Sequence, residues 1–576
     1  YDIKGNRVVE IRYLNSQKDL MSNEQGCAVK CFEYKDGHVI RERYLDSKRS
    51  PCFVSDGYAE IFRFYEPGPD SRLLRVEYRD IDNNLTINKA LSYAQVNYTY
   101  FTQEQCDVVR ESYFNAKETP APLPNLGCMV VDRFYNRGGR LVQEVYRDAL
   151  EQNVCRKDYG VAEIRYEYTD NGTLSCEMYR SKNGQPINRR DTGYAAMYHE
   201  FEGSNLVRTR YEAYLNGSYV AVPDKSTGAF IIQYRYDGGK QTAVQYCDAE
   251  GVLVLRSDTG VAEQRNSYNG MGLLAERSYY GIDGELVLQK EMGYAKVKYT
   301  YNDLGQCESV HYYDTEGIPV ISTKDGCAGF RYMYDDRGNR ELIQYLGKDN
   351  GLMIRQDLGC AQVHRKYDSA GNLRMEEYKD ADGKRTVRKD KGYSYFVDSY
   401  DDDGHCIKNQ YYDTQEKLVL RSDTGYAIAR HERDELGQII STHYYDTEDC
   451  PVISTKYFCA GFNYTYDTQG LRTDTWYIDV NGKPMVRSDL GYAHVHSDYD
   501  DWGNEVKVTY FDTQERPTIW KEGGYASCEY KYENGEWVDA RYRDELGNPV
   551  LRRDMGYAAV LRKYDDAGQY VSSRYY

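Results

Sequence analysis

The stretch GYAKVKYTYNDLGQCESVHYYDTEGIPVISTKD at residues 293–325 decides the fold, because its pattern returns along the chain. A glycine or its substitute, usually followed by tyrosine or cysteine and then alanine, begins a unit at seventeen positions: 26, 57, 92, 127, 160, 193, 228, 260, 293, 326, 359, 392, 425, 458, 491, 524 and 556. The starts lie 31 to 35 residues apart, and 33 apart between residues 260 and 524. Such a period is typical of repeat proteins, whose units bury their apolar faces only against a neighbour. We expect residues 1–576 to form one tandem array, less regular over 1–259 and regular over 260–576.

Each unit begins with the alternating pattern of a half-buried strand. Ala295, Val297, Tyr299 and Tyr301 fall on one face, with Lys296 on the other. The third place is alanine in 14 of the 17 units, which indicates that a large group from the next unit lies against it. The ninth place is tyrosine in 15 of 17 units. We predict that this tyrosine column holds neighbouring units together.

Two turns and two further strands complete the predicted unit. Residues 335–338 and 565–568 show the first turn, in which an aspartate side chain bonds to the backbone and a glycine takes a positive φ. The second strand ends at the twentieth place, which is tyrosine in every unit from Tyr279 onward. A second turn follows at 314–317, and then a short third strand at 319–321 whose proline is typical of a strand start or an edge.

The fold predicted from these features is all-β, with about three short strands in each 33-residue unit. The units would stack into an elongated β-solenoid or a coiled strip of β-hairpins. A parallel β-helix is the alternative. It would place acidic turns directly on acidic turns at a spacing of about 4.8 Å, and this repulsion ranks it second.

The third segment commonly ends in Arg-x-Asp-x-Gly. Its arginines are Arg156, Arg189, Arg256, Arg355, Arg388, Arg421, Arg487 and Arg552. Arginine and aspartate two residues apart on a strand share a face. We therefore predict a ladder of alternating charge between stacked units, which sets register more than stability.

Composition excludes several classes of partner. The net charge of −17 is spread along the chain and disfavours a nucleic-acid partner, which would require a basic stripe. No apolar run is long enough to span a membrane. With 62 tyrosines against 14 phenylalanines, the buried rings carry a hydroxyl, which suits a thin, half-wet core.

The fifteen cysteines do not form a recognisable disulfide framework or zinc ribbon. Five of them occupy the second place, where tyrosine is otherwise usual: Cys27, Cys128, Cys327, Cys360 and Cys459. We expect buried free thiols there. A bridge between Cys327 and Cys360 of adjacent units is the alternative.

Residues 1–5 match the ninth to thirteenth places of the unit, so the chain opens inside a repeat. We expect it to be part of a longer polypeptide. No catalytic motif or cofactor fingerprint is present, which predicts a protein that is not an enzyme and needs no cofactor. His494 and His496 share a strand face, but no third ligand appears at a fixed spacing, so no metal site is predicted.

The segment 332–338, Tyr-Met-Tyr-Asp-Asp-Arg-Gly, resembles the YD or RHS repeats of bacterial surface and toxin proteins. This resemblance implies a strip of hairpins that winds on itself, in some relatives closing into a shell around a toxin. The segment 312–317 followed by Gly326 also resembles choline- and cell-wall-binding repeats, which implies a hairpin solenoid that binds glycans. Neither resemblance implies a catalytic residue.

The twenty-first place supplies the candidate binding residues, because its side chain should point away from the buried tyrosine before it. These residues are Tyr280, Tyr313, Tyr412, Tyr445 and Phe511. Exposed rings at unit spacing stack on sugars or anchor protein partners; shielding of the neighbouring strand is the structural alternative. We predict an extended scaffold of a bacterial surface or secreted protein that binds glycan or protein through this face. The alternative is an RHS-like shell that encloses a toxin polypeptide.

Overall fold

The computed structural model describes residues 7–14, 20–23, 25–68, 71–124, 126–434, 436–468, 470–500, 503–533, 536–564 and 570–576. The expected opening of the chain inside a repeat at residues 1–5, and the turn predicted at 565–568, lie outside these ranges. Within them no helix is long and apolar enough to cross a lipid bilayer.

The described residues form 36 β-strands. Those of the less regular part are β1 Glu10–Arg12, β2 Val29–Lys35, β3 His38–Leu45, β4 Glu60–Tyr65, β5 Leu73–Arg79, β6 Gln95–Gln103, β7 Cys106–Phe114, β8 Val130–Tyr135, β9 Leu141–Arg147, β10 Glu163–Tyr168, β11 Leu174–Arg180, β12 Ala196–Glu202, β13 Asn205–Leu215, β14 Ser218–Ala221, β15 Ile231–Asp237 and β16 Lys240–Cys247. Those of the regular part are β17 Glu263–Tyr268, β18 Leu274–Tyr280, β19 Lys296–Tyr301, β20 Cys307–Tyr313, β21 Gly329–Tyr334, β22 Arg340–Leu346, β23 Gln362–Tyr367, β24 Leu373–Lys379, β25 Tyr395–Tyr400, β26 Cys406–Tyr412, β27 Ile428–Arg433, β28 Ile439–Tyr445, β29 Gly461–Tyr466, β30 Arg472–Ile478, β31 His494–Tyr499, β32 Glu505–Phe511, β33 Ser527–Glu533, β34 Glu536–Arg543, β35 Ala559–Tyr564 and β36 Tyr570–Tyr575.

The strands form one continuous antiparallel sheet in which each hairpin pairs with the next. Within a hairpin such as β19–β20 the pairing runs from Lys296 with Tyr313 to Tyr301 with Cys307. Most junctions between hairpins have only three residue pairs, as in β18–β19, whereas β7 and β8 form six. The short strand β14 pairs with β13 alone. The predicted strip of hairpins is confirmed, and antiparallel pairing excludes the parallel β-helix for the described residues.

The turns have the predicted chemistry. Asp335 Oδ1 accepts the backbone N–H groups of Arg337 and Asn339 at 3.0 and 2.8 Å. Gly338 takes the left-handed φ of +87° that an L side chain rarely adopts. Just before this turn the register shifts by one residue, between Met333 and Tyr334. This bulge bends the strip at the same place in nearly every hairpin.

The core is a ladder of rings along one face of the sheet. The tyrosines of the second and twentieth places alternate, as in Tyr393, Tyr411, Tyr426 and Tyr444, whose successive ring centroids are 4.9, 6.1 and 4.5 Å apart. Alanine of the third place lies between hairpins: Ala295 donates its N–H to Tyr313 O and accepts from Tyr279 N. Each hairpin therefore buries its rings against the next one, as the repeat pattern predicted.

Among the described units, the third segment is shorter than predicted except where it forms the four-residue strand β14. Pro319 makes one isolated bridge to Tyr313, and Val320 then packs into the core while its N–H bonds to Tyr312 O. Ser322 already belongs to the loop that leads to the next unit, since its N–H bonds to Cys327 O. Too few residues remain between Pro319 and this loop to form a third strand paired along its length.

The predicted charge ladder between units was wrong. Arg388 binds Asp390 with both Nε and Nη2, at 2.8 and 3.2 Å, and donates from Nη1 to the Tyr378 hydroxyl at 2.8 Å. The motif lies in a turn rather than on a strand, so the ion pair closes within its own unit. The same two contacts, from arginine to the aspartate two residues later and to a tyrosine hydroxyl ten residues earlier, recur at Arg156, Arg189, Arg256, Arg421 and Arg552.

The five second-place cysteines, Cys27, Cys128, Cys327, Cys360 and Cys459, are buried free thiols, as predicted. Cys327 and Cys360 are not bridged.

Candidate functional site

The five rings predicted as a binding face lie at the ends of the second strands, and all are half-buried. Each is covered on one side by a side chain from its own hairpin. The pairs are Arg265 over Tyr280 at 3.9 Å, Lys298 over Tyr313 at 5.3 Å, Tyr395 stacked on Tyr412 at 4.7 Å, Arg430 over Tyr445 at 4.3 Å and His494 stacked on Phe511 at 5.0 Å. The column therefore offers ring edges and single faces rather than free rings.

At Phe511 the column continues into a cluster of titratable groups. His494, 5% exposed, is stacked between Phe511 and Trp476, whose ring centroid lies 4.5 Å away. His494 Nε2 is 2.9 Å from Asp474 Oδ1, and His496 Nδ1 is 2.6 Å from the same oxygen. We call Asp474, His494 and His496 the His–Asp cluster. The sequence did not indicate a third ligand because Asp474 lies on β30, in the preceding unit.

The electrostatics of the cluster favour the charged forms of Asp474 and His496. Burial acts to raise the pKa of Asp474, but hydrogen bonds from Thr465 and the two histidines outweigh it and hold that pKa at about 2. Burial lowers the pKa of His496, and the carboxylates of Asp474 and Asp498 more than reverse this, so that pKa is raised.

A second feature joins parts of the chain that are far apart in sequence. Ser22 Oγ donates to Asp403 Oδ1 at 2.8 Å, and Lys89 Nζ donates to Gly470 O at 3.1 Å. Both contacts span 381 residues. Ser22 and Lys89 lie on the edge of the strip that carries the third segments, whereas Asp403 and Gly470 lie in hairpin turns on the other edge. We call this contact between opposite edges the seam.

A partly open cavity of about 1200 Å³ lies along the seam, and its walls include Asp46, Lys48, His405 and Asp434. Burial lowers the pKa of Lys89, and the carboxylates of Asp467 and Asp434 oppose that shift. No sequence pattern marked Ser22 or Lys89, because their partners are set by the curvature of the whole strip.

No family model matches the chain, and no curated protein sequence matches it. Among solved structures it is similar to the Photorhabdus luminescens Tc holotoxin pore, with a TM-score of 0.32 and 13% identity over 98% of this chain and 29% of that chain. A TcdB2–TccC3 crystal structure matches with a TM-score of 0.30 and 13% identity, over 95% of this chain and 28% of that one. A TcdB2–TccC3–Cdc42 structure matches with a TM-score of 0.21 and 13% identity, over 99% and 34%. The chain thus spans 28% to 34% of the length of these structures.

Proposed function

We propose that this chain is a non-enzymatic scaffold whose strip of hairpins coils into the wall of an RHS-like β-shell that surrounds a polypeptide. The seam carries the proposal. Two independent edge-to-edge contacts with the same offset of 381 residues are what one turn of a regular coil produces. A straight strip would not bring Ser22 within hydrogen-bond distance of Asp403.

The dimensions of the turn suit this role. Between Ser22 and Asp403 lie strands β2 to β25, which are 23 strands of the continuous sheet when β14 is left out. At about 4.8 Å per strand, such a turn has a circumference of about 110 Å and a diameter of about 35 Å. Among the described strands, only pairing partners within the sheet contact each other. No described strand of this chain therefore crosses the inside of the turn.

The seam is tested by cross-linking. Ser22→Cys with Asp403→Cys should be joined within one chain by a short bis-maleimide, because the native side chains are 2.8 Å apart. The control pair is Ser22→Cys with Leu304→Cys, which occupies the same place three units earlier. All variants carry Cys450→Ser to remove an exposed thiol. Equal cross-linking of both pairs, or of neither, would refute the coil.

X-ray scattering supplies the second test. A straight strip of 35 strands would be about 170 Å long, whereas the coil should have a maximum dimension of less than about 100 Å.

Enclosure is then tested in the full-length gene product. A polypeptide held inside should resist added protease until the seam is opened by Lys89→Glu, and cleavage at equal rates in both forms would leave a scaffold with no cargo.

Binding of glycan or protein through the ring column is the second candidate. It is supported by five half-buried rings at unit spacing, three of them beside an arginine or lysine. Such a face, exposed on a bacterial surface or secreted protein, could stack on sugar rings. A glycan-array screen with the five rings changed to serine tests it. Unchanged glycan binding would show that these rings do not bind the ligand. No glycan binding by either protein would leave the shell wall as the one proposed function.

A further inference from the structure

We propose that Asp474, His494 and His496 form a binding site for a divalent transition-metal ion of the zinc class, at the junction between β30 and β31. The site lies between two repeats, so an ion bound there would fasten one hairpin to the next. This role is separate from the seam, and the site meets the ring column only at Phe511, which is stacked on His494.

The donor atoms already converge. One ligand atom from each of the three residues lies within 4.8 Å of the other two. Asp474 and His496 face each other across the strand pair, and His494 lies two residues before His496 on the same face. Zinc binds histidine nitrogen and carboxylate oxygen at about 2.0–2.2 Å, so an ion could replace the shared Oδ1 contact with only small side-chain movements.

The second ring nitrogen of each histidine contacts a carboxylate, an arrangement that metal-binding histidines commonly have. His494 Nδ1 is 3.1 Å from Glu515 Oε2, and His496 Nε2 is 3.2 Å from Asp498 Oδ1. A carboxylate on the second nitrogen fixes the ring and raises the basicity of the first. The flanking rings of Trp476 and Phe511 further hold His494 in place. Three protein ligands and the partly exposed His496 leave one position open to water.

In another repeat the same junction holds ion pairs, which are the competing explanation for the His–Asp cluster. There Glu276 lies 3.3 Å from Lys296 Nζ and 3.7 Å from Lys298 Nζ, at the places that His494 and His496 occupy. Two lysines can only form ion pairs with the carboxylate, whereas two neutral histidines can bind a metal. The choice of two nitrogens and one oxygen, without sulfur, suits Zn²⁺, Ni²⁺ or Cu²⁺ better than Ca²⁺ or Mg²⁺.

Calorimetric titration of the full chain with ZnCl₂ at pH 7.5 tests the site. All proteins carry Cys450→Ser, since of the fifteen cysteines, all of them described, Cys450 alone is exposed. We expect one ion per chain. Asp474→Asn and His496→Gln should each raise the Kd by more than about 100-fold, and Glu515→Gln by about 10-fold. Binding should also weaken at pH 5.5, where protons compete for the histidines.

His364→Gln is the matched control, because His364 holds the same place as His496 but its partner on the preceding strand is Leu342, where His496 has Asp474. Its Kd should equal that of the parent. Cu²⁺ should quench the emission of Trp476, which is stacked on His494, and Trp476→Phe should abolish that quenching without changing the Zn²⁺ titration. Zinc affinity equal in His496→Gln and His364→Gln, or no saturable binding by the parent, would overturn the proposal and leave a hydrogen-bonded cluster that binds no metal.

Discussion

At the residue scale, tyrosine recurs rather than phenylalanine because its hydroxyl is used between repeats. Ninth-place tyrosines such as Tyr301, Tyr334 and Tyr367 donate to the carbonyl oxygen 27 residues earlier, in the preceding hairpin, at 2.8, 2.8 and 3.2 Å. This confirms the predicted role of the column. The rings were predictable from the period, but their acceptors were not, because those backbone oxygens carry no sequence signal.

Tyr334→Phe should therefore lower stability by about 1 kcal/mol, since it leaves Cys307 O without its 2.8 Å partner. Long repeat arrays do not unfold in one step, so the change should be measured as faster hydrogen exchange of the β20–β22 amides. Tyr313→Phe is the control, and its effect should be close to zero. Equal effects would mean that the ring alone, and not the hydroxyl, joins the repeats.

Asp423 gives a prediction for acid stability. Burial acts to raise its pKa, but Arg421 and Lys391 hold the carboxylate in its charged form and lower that pKa to about 2. An unfolded aspartate titrates near 3.9. The contacts thus stabilise the fold fully above about pH 4, and the stabilisation is lost as the pH falls through 2.

Asp423→Asn should speed hydrogen exchange of the β25–β28 amides, relative to the parent at the same pH, at pH 6 and have less effect at pH 2.5. Asp382→Asn, in an exposed turn, is the control and should change exchange at neither pH. A loss of protection for Asp423→Asn that is the same at both pH values would show that shape, not charge, is responsible.

At the element scale, strands and turns were predictable wherever one residue position has one local role. Residues 335–338 form the predicted turn because the aspartate oxygen, the two amide groups and the glycine φ all lie within five residues. The third segment and the Arg-x-Asp motif were predicted less well. Their geometry depends on Val320 entering the core and on Tyr378 accepting from Arg388, and neither contact follows from a local turn pattern.

Gly329 permits the close approach of β20 and β21. A Cβ atom there would lie 2.2 Å from Val310 O, so a side chain must push the strands apart. Gly329→Ala should cost about 1–3 kcal/mol. Ser527→Ala, at the same place of a later unit where a Cβ is already accommodated, should cost less. Thermal unfolding with local hydrogen exchange measures both, and an equal cost would show that the junction adapts freely.

At the scale of the whole molecule, the period predicted the strip but not the turn that it makes. Strand twist and a bulge in nearly every hairpin each add a small rotation, and only their sum decides where the edges meet. An offset of 381 residues, about 11.5 repeats of 33, is that sum. Neither the seam nor Asp474 beside two histidines could be found by inspecting one unit alone.

If the rotation of each hairpin sets the coil, removing one repeat should move the seam by one repeat. Deletion of residues 293–325 joins Met292 to Gly326 and keeps the pattern intact. Ser22 should then lie opposite Leu436, which holds the same place as Asp403 one unit later. Ser22→Cys should cross-link to Leu436→Cys in the deleted protein and to Asp403→Cys in the parent. Cross-linking that stays at residue 403 after the deletion would show that the particular side chains at the seam, rather than the hairpin geometry, close the turn.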